Sequence, residues 1–232
     1  MASFSSLRYP ARFGPSNLGA LWTALFYGVP LTNIAVHLAW LLALHPVFSS
    51  LPINRVRLSD FLRRYFMLSP SDPRCLTLFT SAFSHIQPLH LFVNMSTYKT
   101  YVESFYQLGI SPIRFILLAV GSGLAASYAH VYNARHRRGA KTIAERSAVG
   151  ASGVLTGLGT ALACMFPTLK VRLSGTNQVL PLRVVVLGMF AVDAYCLSTD
   201  RETGVGHAGH LGGALFGLAY FLWRKATAAW NS

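Results

Sequence analysis

The sequence predicts an all-α, polytopic membrane protein in which six helices cross the bilayer. Of its 232 residues, 53% are hydrophobic and 12% are charged, and the mean hydropathy is +0.42. Soluble domains contain about 25% charged residues. A chain of this length cannot bury so many apolar side chains in one core, so its surface must be apolar as well. Besides this composition, the chain has six apolar segments, each close to the roughly 17–25 residues that a membrane helix needs.

The six segments follow one another along most of the chain. They cover residues 18–44, 88–108, 113–132, 150–166, 179–197 and 205–223. Pro30 predicts a kink in the first, because proline removes a helical hydrogen-bond donor. The long loop between the first two segments contains an amphipathic stretch at 62–67, which is predicted to lie in the membrane interface.

The segments form a single predicted domain over residues 18–225, with a C-terminal tail at 226–232. Residues 1–17 are rich in serine and carry Arg8 and Arg12 without an acid. This composition fits a mitochondrial presequence and equally fits a disordered basic tail. The tail is favoured, because Pro10 and Pro15 interrupt any amphipathic helix.

The formal charge of +13 does not indicate a nucleic-acid partner. The basic residues lie mostly in loops and form no basic helix, which is how a membrane protein meets anionic lipid headgroups. The three cysteines, Cys75, Cys164 and Cys196, have neither a disulfide pattern nor metal-ligand spacing. The sequence therefore predicts a lipid bilayer as surroundings, with no cofactor and no metal.

Ser152 and His210 are a candidate nucleophile and a candidate base. Each lies at or near the start of an apolar, glycine-rich segment, where polar groups are costly and indicate function. Four-residue glycine spacings accompany both: 153 and 157 in the fourth segment, and 209, 213 and 217 in the sixth. Such spacing can serve tight helix packing alone. It can also bring the Ser152 hydroxyl within reach of His210, as general-base activation requires.

His85, His90 and Asn94 form a second polar group around the start of the second segment. His90 and Asn94 are four residues apart and share a helix face. Both can donate hydrogen bonds to a developing oxyanion, as can the backbone N–H of Ser152. A metal site is the competing interpretation, but no carboxylate or cysteine accompanies these histidines at useful spacing. Asp193 lies deep in the fifth segment and could not be placed beside His210, so a Ser–His dyad is the simplest prediction.

These motifs, in this order, resemble the rhomboid family of intramembrane serine proteases over roughly residues 60–225. The resemblance implies a six-helix bundle that cleaves single-pass membrane proteins in or near their membrane segment. It implies Ser152 as nucleophile, His210 as base, and His90 and Asn94 in the oxyanion hole. His85, Gly150, Gly213 and Gly217 would support the site.

The motifs are most similar to the mitochondrial, presenilin-associated rhomboid-like subfamily. This implies an integral protein of the mitochondrial inner membrane, with the Golgi or another endomembrane as the alternative. One departure concerns position 156, where many bacterial rhomboids have a tyrosine that stacks on the catalytic histidine. Here it is Thr156, so His210 must be held in another way.

Two other functions are compatible with a polytopic chain of this kind. An inactive rhomboid-like protein could bind membrane clients without cutting them. Such a protein would be free to lose Ser152 or His210, so the presence of both argues against this alternative. A small transporter or channel would carry paired charges in several helices, and the sequence has no such pattern.

Overall fold

The structure is a computed structural model that describes residues 18–137, 142, 144–173, 176–201 and 203–230. Helices dominate these ranges. They are α1 (Leu18–Thr23), α2 (Val29–Leu44), α3 (Arg55–Phe66), α4 (Thr77–Thr80), α5 (Pro88–Gln107), α6 (Pro112–His136), α7 (Ser152–Met165), α8 (Leu182–Ser198) and α9 (His207–Trp230). The predicted helical class is confirmed. The predicted tail at 1–17 lies outside the described residues.

A small sheet corrects the prediction of a purely helical chain. Strand β1 (Lys170–Arg172) pairs antiparallel with β2 (Val179–Pro181), and Val171 faces Leu180 in the register. The predicted fifth segment therefore begins as a strand, and its helix starts at Leu182. Apolar content alone does not separate a short strand from the start of a buried helix.

The first apolar segment is one long helix with an irregular turn. A π-turn at Ala24–Gly28 separates α1 from α2. Pro30 has no N–H to donate to the carbonyl four residues earlier, and a wider turn is a common response to such a gap. The π-turn ends two residues upstream of the proline, and the kink predicted at Pro30 stays a prediction.

The amphipathic stretch at 62–67 falls within and just after α3. Asn54 caps this helix, since its side chain accepts a hydrogen bond from the N–H of Arg57 at 3.0 Å. Leu62 is buried against Trp40 and Val36 of α2, while Arg63 and Arg64 lie exposed on the opposite side. The stretch is helical as far as residue 66, and its placement in a membrane interface stays a prediction. With four arginines and one aspartate, α3 is a basic helix, so the expectation that the chain has none is wrong.

Two helices within the described ranges are long and apolar enough to be candidate membrane spans. They are Gly19–Leu44 and Pro112–His136, and the apolar helix α7 is shorter. The predicted fourth segment shrinks at its start because Gly150 adopts a φ of +124°, which is not helical. Each of the six predicted segments contains a helix, but only two of these helices meet the criteria for a span.

Helices α6, α7 and α9 form the centre of the molecule. Leu158 and Leu162 of α7 are fully buried, and Phe115 and Leu118 of α6 pack in the same cluster. Small residues line the places where these helices meet, so their backbones approach closely. This arrangement holds the starts of α7 and α9 next to each other.

Candidate active site

Ser152 is the first residue of α7. Gly150 and Ala151 form the turn that leads into the helix, and the N–H of Gly150 donates to the carbonyl of Ser81 at 2.9 Å. A side chain at Gly150 would be strained by the positive φ and would also lie 2.6 Å from the His90 ring. The turn therefore requires glycine, and it fixes where the Ser152 side chain emerges.

The Ser152 hydroxyl contacts His210, in the first turn of α9. The distance from Ser152 Oγ to His210 Nε2 is 2.9 Å. On the other side of the ring, His210 Nδ1 lies 3.1 Å and 3.2 Å from the two carboxylate oxygens of Asp193. A carboxylate can only accept, so the Nδ1 atom carries the proton and Nε2 accepts from the serine hydroxyl. This is the arrangement of an activated serine nucleophile.

Asp193 was not predicted as part of this site. It lies on α8 and is buried, and its Oδ1 also accepts a hydrogen bond from His207 Nδ1 at 2.6 Å. His207 Nε2 in turn lies 2.6 Å from the hydroxyl of Thr203. The sequence did contain a signal, because Asp193 is the single acid within the apolar segment 179–197. An ionisable residue inside such a segment indicates function by default.

The contact between α7 and α9 uses the predicted glycines. A Cβ on Gly213 would lie 2.0 Å from the carbonyl oxygen of Gly153, and one on Gly217 would lie 2.2 Å from that of Gly157. Real side chains cannot occupy such space, so the two backbones are as close as glycine allows. A hydrogen bond also joins the two helices, because the Thr156 hydroxyl donates to the carbonyl oxygen of His210 at 2.9 Å.

His85 lies between the helices, in the segment just before α5, and it is fully buried. The backbone N–H of Ala151, next to Ser152, donates to His85 Nε2 at 3.4 Å. Burial lowers the pKa of His85 to about 3, so its ring is neutral and can accept this bond. His37 Nδ1 bonds to the His85 carbonyl at 2.8 Å, and Trp40 donates to the hydroxyl of Ser84 at 2.8 Å. Helix α2 thereby fixes the segment that carries His85.

His90 and Asn94 border the same cavity as Ser152. This cavity has a volume of about 1030 Å³, and its lining includes His90, Asn94, Ser152 and His210. The His90 ring packs edge-on against the His85 ring, with centroids 5.0 Å apart. One N–H of the Asn94 amide donates to the His90 carbonyl at 3.0 Å. Because an amide nitrogen carries two N–H groups, this bond commits one of them.

One group of possible metal ligands stands out among the described residues. It consists of Asp193, His207 and His210, whose ligand atoms all lie within 4.8 Å of one another. A carboxylate does accompany two histidines here, unlike around His85 and His90. Hydrogen bonds of 2.6–3.2 Å already join the three side chains. The group is therefore complete as a hydrogen-bonded cluster.

Comparison with known proteins identifies the family. A family profile described as a rhomboid domain matches residues 72–225, which is well over half of the chain. The chain belongs to the rhomboid family. The matched residues include Ser152, His210, Asp193, His90 and Asn94. The whole candidate site therefore lies within the rhomboid domain.

A curated relative is the zebrafish (Danio rerio) protein named presenilin-associated rhomboid-like protein A, mitochondrial. It is 29% identical over 188 residues, which cover 71% of this chain and 43% of the relative. The chain thus spans less than half of the length of the relative it matches. The resemblance to the presenilin-associated rhomboid-like subfamily, inferred from the motifs, is confirmed.

Proposed function

We propose that this rhomboid-family chain is an intramembrane serine endopeptidase that cuts single-pass membrane proteins in or near their transmembrane segment. The observation that carries the proposal is the 2.9 Å contact between Ser152 Oγ and His210 Nε2. Serine–histidine contacts of this length activate a nucleophile. The contact lies at the start of an apolar helix in a chain of the rhomboid family.

Six membrane-spanning helices are part of the proposal: the α1–α2 helix, α5, α6, α7, α8 and α9. Large apolar side chains are exposed on several of these helices, among them Leu31, Leu117, Leu187 and Leu222. Such surfaces are costly in water and suit lipid. The predicted domain at 18–225 and its tails belong to this proposal. So does a location in the mitochondrial inner membrane; the name of the zebrafish relative, which contains the word mitochondrial, supports the organelle.

The length of α7 supports a nucleophile below the membrane surface. Its 14 residues, at about 1.5 Å each, span about 21 Å, whereas the hydrocarbon core is about 30 Å thick. A helix of this length in the bilayer has at least one end inside the membrane, and we assign Ser152, its first residue, to that end. A cavity of about 1030 Å³ beside it gives a peptide segment and water room to enter.

The mechanism follows acyl transfer through a serine. Ser152 Oγ attacks the scissile carbonyl carbon while its proton passes to His210 Nε2. His90, Asn94 and the Ser152 N–H stabilise the oxyanion that forms. When the C–N bond breaks, His210 gives the proton to the leaving amine. Water then attacks the acyl-enzyme, again through His210, and releases the new carboxyl terminus and free Ser152.

Labelling with a fluorophosphonate tests the proposal directly. The protein in liposomes should react at Ser152 and should cleave a model single-pass substrate, and Ser152→Ala should abolish both. Ser198→Ala is the matched control, because that serine lies at the exposed end of α8 and donates only to its own helix. A protein that binds substrate yet neither reacts nor cleaves would instead be an inactive rhomboid-like client binder.

A further inference from the structure

A continuous chain of hydrogen bonds extends from Ser152 away from the cavity. It passes through His210 to Asp193, then from Asp193 to His207 and from His207 to Thr203. The successive distances are 2.9 Å, 3.1 Å, 2.6 Å and 2.6 Å. Three structural elements contribute, since Ser152 is on α7, Asp193 on α8 and both histidines on α9. Only the first contact was expected from a Ser–His dyad.

We propose that Asp193 is a positioning residue for His210, and that His207 holds Asp193 in place for that task. This inference rests on the proposed protease function. The working unit at the cavity is then a serine–histidine–aspartate relay supported by a second histidine, rather than a dyad.

Asp193 is a buried carboxylate in a largely apolar helix, and its burial costs free energy unless hydrogen-bond donors compensate. Its exposed fraction is 5%, and the other residues of α8 are apolar apart from Arg183, Tyr195 and Ser198 near its ends. A buried carboxylate is tolerated only where donors surround it. His207 and His210 supply two such donors, so the carboxylate and the imidazoles satisfy one another.

The hydrogen bonds of Asp193 distinguish a positioning role from simple attachment of α8 to α9. Attachment alone would need only the short hydrogen bond from His207 to Asp193 Oδ1. Yet both carboxylate oxygens lie within 3.2 Å of His210 Nδ1, on the side of the ring opposite Ser152. This contact fixes which ring nitrogen is protonated and which way the ring faces. Thr156 contacts the backbone carbonyl of His210 through its hydroxyl and has no ring that could stack on the imidazole.

The chemical effect is on the charged form of His210. When the proton of Ser152 Oγ moves to Nε2, the imidazolium that forms lies beside the carboxylate. Asp193 stabilises this cation without taking the proton itself. The stabilisation exists in the transition state and not in the resting enzyme, so it should act on kcat rather than on KM.

Asp193→Asn tests the relay because it keeps the size of the side chain and removes its charge. We expect kcat for a model single-pass substrate to fall about a hundredfold or more while KM stays within twofold. The loss of the corresponding carboxylate in a serine protease triad costs roughly 10⁴ in kcat. Rates are divided by the concentration of folded, monodisperse protein measured by size-exclusion chromatography, because fluorophosphonate labelling itself depends on an activated Ser152. A smaller folded fraction therefore does not imitate the effect.

Asp200→Asn is the matched control. This aspartate, just beyond the end of α8, forms an ion pair with Arg137 at 2.8 Å, and its side chain is mostly exposed. It should keep kcat within twofold of the wild type. His207→Ala, which frees Asp193 on one side, should lower kcat about tenfold and leave KM unchanged.

The outcomes separate this inference from the proposed function. A wild-type protein that neither labels nor cleaves overturns the function, whatever Asp193 does. An active wild type with unchanged kcat in Asp193→Asn overturns the relay and leaves a dyad. If Asp193→Asn does not fold, His207→Ala decides, and wild-type kcat in that variant overturns the relay. A rise in KM with unchanged kcat would mean that Asp193 serves only the shape of the cavity.

Discussion

Helices α7 and α8 border the same cavity but are held in different ways. Nine of the 14 residues of α7 are buried, compared with three of the 17 residues of α8. Backbone contacts at glycines fix α7 against α6 and α9, whereas Leu187 and Val192 of α8 are 66% and 58% exposed. Ser152 thus lies on a tightly packed helix and Asp193 on a loosely covered one. Packing sets where the serine lies, and a polar contact brings α8 to it.

The largest effect is expected from removing either side chain of the Ser152–His210 contact. We expect Ser152→Ala and His210→Ala each to lower cleavage of a model substrate by about 10⁴-fold or more, since the two act as one unit. The double variant should be no slower than either single one. The measurement is proteolysis in liposomes at matched protein concentration. Cleavage near the wild-type rate by either purified variant would remove the assignment.

Asn94 tests whether a third helix, α5, also contributes to the chemistry. Asn94→Ala should lower kcat by about 10²–10³ and change KM little, because one oxyanion donor is lost. Asn33→Ala is a close control, because Asn33 is also a buried helical asparagine whose amide donates to the carbonyl four residues earlier, at 2.9 Å. Steady-state kinetics on both variants decide the matter. Equal kcat values for the two would make Asn94 a packing residue.

Two glycines test whether close packing sets the site: Gly213 of α9, which touches α7, and Gly188, which lies on α8 with open space beside it. Gly213→Val should lower activity about a hundredfold, because the new side chain clashes with the Gly153 backbone and moves His210 by about 1 Å. Gly188 of α8 has no atom within 4 Å of the position of a Cβ, so Gly188→Val should keep nearly full activity. Activity should fall before thermal stability is lost in the first variant. A fully active Gly213→Val protein would show that the α7–α9 contact does not set the geometry.

Matched leucines on the two helices test the packing difference through the free energy of unfolding. Leu158→Ala removes a fully buried side chain from α7 and should cost about 2–5 kcal/mol of stability. Leu187→Ala removes an exposed side chain from α8 and should change stability by about 0.5 kcal/mol or less. Thermal unfolding in one detergent compares the two directly. Similar losses would mean that α8 is covered by something other than lipid or detergent.

Sequence reasoning reached the helical class and the Ser152–His210 pair because both depend on local pattern. Long apolar segments fix which stretches are helical, and four-residue glycine spacing marks the face along which a helix can approach another. The exact bounds of the helices were harder to predict from the sequence. The start of the fifth segment pairs as a strand with residues 170–172, and a pairing between two segments leaves no mark on either one alone.

Only the tertiary structure decided that Asp193 lies beside His210. The two residues are on different helices, and the side of α8 that faces α9 depends on how the chain turns between Asp200 and Gly206. The sequence showed that an acid inside an apolar segment needs a partner, but it could not say which one. Partners are set by the rotation of one packed helix against another, and that rotation is fixed by contacts spread over the whole bundle.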